Sequence, residues 1–114
     1  MKLYASIYIG SYEIILKVFQ ITQKKRLKEL DCLRTPIDTA QDIYASGQLK
    51  KETVDRICNV LEDMKRTLAL YRLTGDYQIY AGSTFTAADN RLFAMEQIKL
   101  RTGMKVLALS NSEH

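Results

Sequence analysis

Three short segments of this 114-residue chain concentrate glycine and small hydroxyl side chains: Gly10-Ser11-Tyr12-Glu13, Gly82-Ser83-Thr84 and Ser110-Asn111-Ser112-Glu113. Glycine lets backbone approach a ligand closely, and hydroxyl and peptide N–H groups are donors. Such segments therefore suit phosphate oxygens better than an apolar ligand. Glycine and serine are also what turns are made of, so composition leaves both readings open. The other reactive side chains point less far. Cys32 and Cys58 are single, widely separated and without clustered histidine, which indicates neither a zinc site nor a disulfide framework. Cys58 falls on the apolar side of a helical repeat and reads as core. His114, the one histidine, is terminal and reads as a bystander. Tyr4, Tyr8, Tyr12, Tyr77 and Tyr80 could stack bases as in single-strand binders, but packing within strands explains them more simply.

The elements around these segments decide whether they meet. Residues 3–9 alternate, with Leu3, Ala5, Ile7 and Ile9 on one side and Tyr4, Ser6 and Tyr8 on the other. Both faces are fairly covered, so the pattern predicts a strand inside a sheet. After a turn at Gly10-Ser11, residues 12–21 form a second strand rich in β-branched and aromatic residues. Residues 25–34 form a third, with a thin apolar set (Leu27, Leu30, Cys32, Leu33) that places it at the sheet edge. Residues 35–49, with Pro36 and Ser46-Gly47, read as a connection with room for a short helical turn. Val54, Ile57, Cys58, Leu61, Met64 and Leu68 then follow a helical period, with Gly75 as its expected stop. A strand is expected over 77–81. A helix capped by Asp89 or Asn90 and stopped by Gly103 comes next, and a last strand over 105–109.

Strands alternating with helices in the second half imply parallel pairing through right-handed crossovers. Open sheets of this kind bind ligands beyond the carboxyl ends of the parallel strands, where all three hydroxyl-rich segments would meet. The order β-β-β-α-β-α-β is that of the α/β ribonuclease H-like fold, the building block of the actin-like ATPase and sugar-kinase superfamily, with a mixed five-stranded sheet and helices packed on it.

Composition narrows the class. With 46% hydrophobic and 26% charged residues, one Pro and two Cys, the chain is not collagen-like, disordered or a disulfide scaffold. Its longest apolar runs are far too short to cross a bilayer, no signal peptide is visible, and a cytoplasmic protein is expected. The net charge of +4 owes much to Lys24-Lys25-Arg26 with Lys28. A nucleic-acid surface would fit, but lysines on an exposed strand edge also deter aggregation, so nucleic acid is disfavoured.

The run Ala5-Ser6-Ile7-Tyr8-Ile9-Gly10-Ser11 resembles the opening phosphate-loop motif A-x-I-D-I-G-S-N-S of the exopolyphosphatase and guanosine pentaphosphate phosphatase (Ppx/GppA) family. Ala81 to Asn90 (Ala-Gly-Ser-Thr-Phe-Thr-Ala-Ala-Asp-Asn) is similar to its A-T-S-A-x-R-E-A-x-N segment, and Arg101 to Glu113 to its R-x-x-T-G-x-x-V-x-V-x-S-x-x-E segment. Tyr44 to Leu49 resembles its G-x-L-S connector. The likeness runs through the whole chain in order. It implies an N-terminal ribonuclease H-like subdomain over 1–114, a fragment of a longer two-subdomain phosphohydrolase. The substrate would be polyphosphate or guanosine pentaphosphate, cleaved at the terminal phosphoryl group. By this resemblance Glu113 would position or activate the attacking water, and Gly10, Ser11, Tyr12, Ser83 and Thr84 would cradle phosphate. Magnesium is expected for the full-length family and none for this fragment, in which no metal ligand is assigned.

Several positions depart from the family pattern. Its first-strand Asp is Tyr8, the Asn of its first loop is Tyr12, its phosphate-contacting Arg is Thr86, and the following Glu is Ala87. Tyrosine brings no charge to a magnesium ion at neutral pH. A lost charge-assisted contact to phosphate costs about 1.5–3 kcal/mol. Activity reduced or lost is therefore expected. The alternatives are a non-catalytic phosphate or nucleotide sensor and, third, a ribonuclease H-like nucleic-acid binder. The partner implied is a second subdomain of the same polypeptide. Homodimerisation through a face left bare by missing domains stays open.

Overall fold

The computed structural model describes residues 2–109. Strands β1 (Lys2–Ile9), β2 (Glu13–Ile21) and β3 (Leu27–Pro36) form the expected antiparallel meander. Strand β4 (Tyr77–Ala81) pairs parallel to β1, and β5 (Val106–Ala108) pairs parallel to β4. The sheet order is β3-β2-β1-β4-β5, with β1 central and β3 at the edge as its thin apolar set predicts. The register of β2 and β3 shifts between Val18 and Phe19, so that Leu30 has no opposite number. A bulge on an edge strand bends it and discourages pairing with another chain.

Period-two alternation sends Ala5, Ile7, Ile9, Ile14, Leu16, Val18, Ile79, Ala81 and Val106 to one face of the sheet, where all are buried. Helix α2 (Lys51–Leu70) lays Val54, Ile57, Cys58, Leu61, Met64 and Leu68 on that face. Helix α4 (Arg91–Thr102) adds Ala94 and Ile98 to the same core. The opposite face carries Tyr4, Ser6, Tyr8, Ile15, Lys17, Phe19 and Tyr80, which are half-buried or exposed. The central position of β1 is thus as expected, but its second face is covered only by neighbouring side chains.

The third strand runs two residues later than expected, Leu27–Pro36 rather than 25–34, and the last is shorter, Val106–Ala108 rather than 105–109. Three further differences each have a local reason. The 35–49 connection holds a two-turn helix, α1 (Thr39–Ser46). It is started by Asp38, whose Oδ1 accepts from the Gln41 amide at 2.9 Å, and is closed by Gly47 at φ 75°. Helix α2 ends at Leu70 rather than running to Gly75. Arg72 turns left-handed (φ 59°), and the Leu73 amide returns to the Leu68 carbonyl at 2.9 Å while its side chain enters the core. Before α4 lies a one-turn helix, α3 (Ser83–Thr86). Asn90 stands at the N-cap of α4, immediately before Arg91, but does not cap it with its side chain. Its Oδ1 accepts from the Leu49 amide at 2.9 Å and its Nδ2 donates to the Leu49 carbonyl at 3.0 Å. Gly103, at φ 74°, stops α4 as its type and position predict.

Candidate functional site

The parallel pairing of β1 with β4 brings their carboxyl ends level, Ile9 against Ala81. One further bond, from the Gly82 amide to the Ile9 carbonyl at 3.0 Å, sets the loops that follow side by side. The β1–β2 turn is closed by the Gly10 amide, which donates to the Glu13 carbonyl at 2.9 Å. Its outer carbonyls are tied to the start of α1: Ser11 accepts from the Thr39 amide at 3.0 Å, and Tyr12 from the Ile37 amide at 2.9 Å. The buried Thr39 hydroxyl adds bonds to the Gly10 and Ser11 carbonyls at 3.0 and 3.2 Å. The first loop is therefore rigid, and Thr39 is its anchor.

Two contacts then close the space between the loops. Ser11 Oγ and Thr84 Oγ1 share a hydrogen bond at 2.5 Å. The Tyr8 ring lies over both glycines. A methyl group added at Gly82 would stand 2.8 Å from Tyr8 Cζ and against its hydroxyl, and one at Gly10 would stand 3.1 Å from Tyr8 Cε1. Gly82 has an ordinary extended backbone, φ −76° and ψ 179°. Its lack of a side chain is required by the tyrosine above it rather than by its torsions.

Of the residues expected to cradle phosphate, Gly10, Ser11, Ser83 and Thr84 are brought together at this edge. Both glycine amides, however, are committed to backbone carbonyls. Tyr12, which follows Ser11 in the same turn, is 69% exposed. Thr86, in the place of an expected arginine, donates to the Ser83 carbonyl at 3.2 Å. Glu13 is held in an exposed ion pair with Arg34 at 2.5 Å. Glu113 and the Ser110–Ser112 segment lie outside the described residues. The basic stretch Lys24-Lys25-Arg26 occupies the β2–β3 turn, at the end of the sheet where Ile21 faces Lys2. That is the far end from the hydroxyl cluster.

Magnesium takes six oxygen ligands and binds proteins chiefly through carboxylates. The donors gathered here are neutral hydroxyls, and no group of three or more His, Cys, Asp or Glu side chains placed to hold a metal ion occurs among the described residues. These residues do not fit the ion.

A central strand parallel to two crossover strands, with a meander on its other side, is the arrangement of the α/β ribonuclease H-like fold. No protein-family model matches the sequence, and no curated protein does. Solved structures do match. A Ppx/GppA family member from Aquifex aeolicus superposes with a TM-score of 0.88 at 21% identity, over 96% of this chain and 35% of that one. An exopolyphosphatase from Cytophaga hutchinsonii gives 0.88 at 14% identity, over 97% and 35%. RuvC from Thermus thermophilus, in complex with a Holliday junction substrate, gives 0.51 at 16% identity, over 95% and 65%. At these identities the likeness is one of fold. The chain spans about a third of the length of the Ppx/GppA-type structures it matches.

Proposed function

We propose that this chain is the first subdomain of a Ppx/GppA-type phosphohydrolase in which the phosphate loops have been closed. What supports the family reading is the fold likeness together with the two loop motifs that follow β1 and β4; the loop of the third motif lies outside the described residues. The single observation that carries the closed-site reading is Tyr8, in the place of the family's aspartate, lying over Gly10 and Gly82. Phosphoryl transfer depends on positioning and on neutralising charge. A neutral, covered loop pair supplies little of either. By this reading the 114 residues alone turn over neither polyphosphate nor guanosine pentaphosphate, need no magnesium and belong in the cytoplasm. In the whole protein Glu113 would position the water, and a second subdomain would complete the cleft.

Phosphate release from polyphosphate with magnesium tests the reading. The chain is expected to give none. Release proportional to protein and lost in Glu113→Ala overturns the expectation. In the protein that carries this chain, Tyr8→Asp combined with Thr86→Arg should raise hydrolysis well above wild type. Equal rates would sink the closed-site reading.

A second reading, a non-catalytic phosphate or nucleotide sensor, is favoured by the retained Ser11, Ser83 and Thr84 cluster. It calls for binding of inorganic tripolyphosphate to the wild-type chain in calorimetry without turnover. The nucleic-acid reading has less support, because the basic turn and the hydroxyl loops sit at opposite ends of the sheet.

A further inference from the structure

The positive charge of this chain is concentrated at one end of the sheet. Lys2, at the start of β1, and Lys24, Lys25, Arg26 and Lys28, in and just after the β2–β3 turn, are all exposed. None of the five forms an ion pair among the described residues. Glu29, the carboxylate nearest to the turn in sequence, is paired with Lys17 at 3.4 Å. Without these five charges the net charge of +4 becomes −1. Lysines that guard a sheet against aggregation lie along its edge strand, whereas only Lys28 of this set belongs to β3. The turn also holds one of the five under strain. The Thr22 amide donates to the Arg26 carbonyl and the Lys25 amide to the Thr22 carbonyl, each at 2.9 Å. This closure puts Lys25 at φ 58°, a left-handed conformation that glycine or asparagine adopts more readily.

Beside the charges stand two aliphatic side chains. Ile21 is the register partner of both Lys2 and Leu27, so all three project from the open face of the sheet. Leu27 is 64% exposed. Cations set around exposed aliphatic groups complement anionic headgroups lying above acyl chains. A nucleic acid would satisfy the charges but leave Ile21 and Leu27 without a counterpart. The aromatic next along β2 on that face, Phe19, stands opposite Glu29, which repels phosphate. We propose that the β2–β3 turn is a peripheral membrane contact. It sets the five cations against the phosphates of anionic lipids and lets Leu27 and Ile21 into the interface. Docked this way, the Ser11–Thr84 cluster at the other end of the sheet faces away from the lipid. Nothing in the proposal rests on the phosphate reading.

Co-sedimentation with phosphatidylcholine vesicles, with and without about one-quarter phosphatidylserine, is the test. The chain is expected to bind only the anionic vesicles, and to leave them as sodium chloride rises from about 0.1 to about 0.5 M. Each neutralised cation should lower the partition coefficient about fivefold, the equivalent of about 1 kcal/mol. Lys24→Gln with Lys25→Gln should therefore lower it about 25-fold, with the fold of the variant checked by circular dichroism. Lys25→Gly separates binding from folding. It should weaken binding about fivefold while leaving the Tm unchanged or higher, because glycine accepts this backbone conformation. Leu27→Ser, at an exposed position, should weaken binding several-fold without altering its dependence on salt. A single-stranded oligonucleotide at equal phosphate concentration should not displace the chain. No binding to the anionic vesicles, or full binding by the double lysine variant, overturns the proposal. Indifference to Leu27→Ser also overturns it, and so does displacement by the oligonucleotide, which assigns the turn to nucleic acid.

Discussion

Tyr8 lies in β1 and Gly82 just beyond the end of β4, yet neither can be changed without regard to the other. A methyl group at Gly82 must push aside the outer end of the part-exposed Tyr8 ring, which costs no more than the low end of the roughly 1–3 kcal/mol of core overpacking. Gly82→Ala should lower the unfolding free energy measured in urea by that amount. With Tyr8→Ala in place, the obstacle is gone and the backbone at residue 82 is already extended. The same substitution should then be neutral, or stabilising by about 0.4–1 kcal/mol through the unfolded chain. A double-mutant cycle measures the difference, and additive effects would mean that the ring does not pin the glycine. Half of this arrangement was legible beforehand. Tyr8 stood out because it replaces a charged residue in a familiar motif, but nothing in the sequence said where its ring would lie. Thr39, buried and bonded to the first loop, gave no signal, since threonine in the first turn of a helix is commonplace.

At the scale of elements, α4 is joined to the distant connector between α1 and α2 through Asn90. Its amide meets both polar groups of the Leu49 backbone, which are otherwise left part-buried without those partners. An unsatisfied buried donor or acceptor costs about 1–3 kcal/mol. Asn90→Ala should destabilise the chain by about that much, and Asn90→Asp, which keeps only the acceptor, by less. Amide exchange at Leu49 should quicken in Asn90→Ala, which removes the acceptor of its N–H, and much less in Asn90→Asp, which keeps it. Strand alternation, the α2 period and the Gly103 stop could be read from the chain because each depends on residues within one or two turns. The end of α2 could not. It is set by Leu73 entering the core and by the Tyr71 hydroxyl reaching Asp31 Oδ2 at 2.9 Å, contacts that outweigh the local permission of Gly75.

For the molecule as a whole, the displaced ionisations all point one way. Burial pushes the Cys58 thiol above its ordinary 9.0. Burial and then Tyr80 raise the Tyr4 phenol above 10.0, and the bond to Asp31 raises Tyr71 above the same value. A group whose pKa is higher in the folded state favours folding while it is protonated. That contribution is complete below the unfolded pKa and is lost as pH rises through the folded one. Stability should therefore hold near neutrality and fall from about pH 9 upward. Tyr71→Phe should flatten the upper part of that decline, and unchanged alkaline midpoints in the variant would remove Asp31 as the cause. Helices cover one face of the sheet while the other shows aromatic and aliphatic side chains to solvent. Parallel strands are ordinarily covered on both faces, and here one face of β1 and β4 is covered only by neighbouring side chains.

The sequence by itself determined the run of strands and helices, the central place of β1, the edge place of β3 and the gathering of hydroxyl residues at one end of the sheet. Those follow from alternation, helical period and the handedness of crossovers, which local sterics and burial dictate. Only the tertiary structure decided that Ser11 would bond Thr84, that Tyr8 would cover Gly82, and that Asn90 would hold Leu49. Each joins residues more than 40 positions apart, and the crossovers, not the neighbouring residues, bring them within hydrogen-bonding or van der Waals reach.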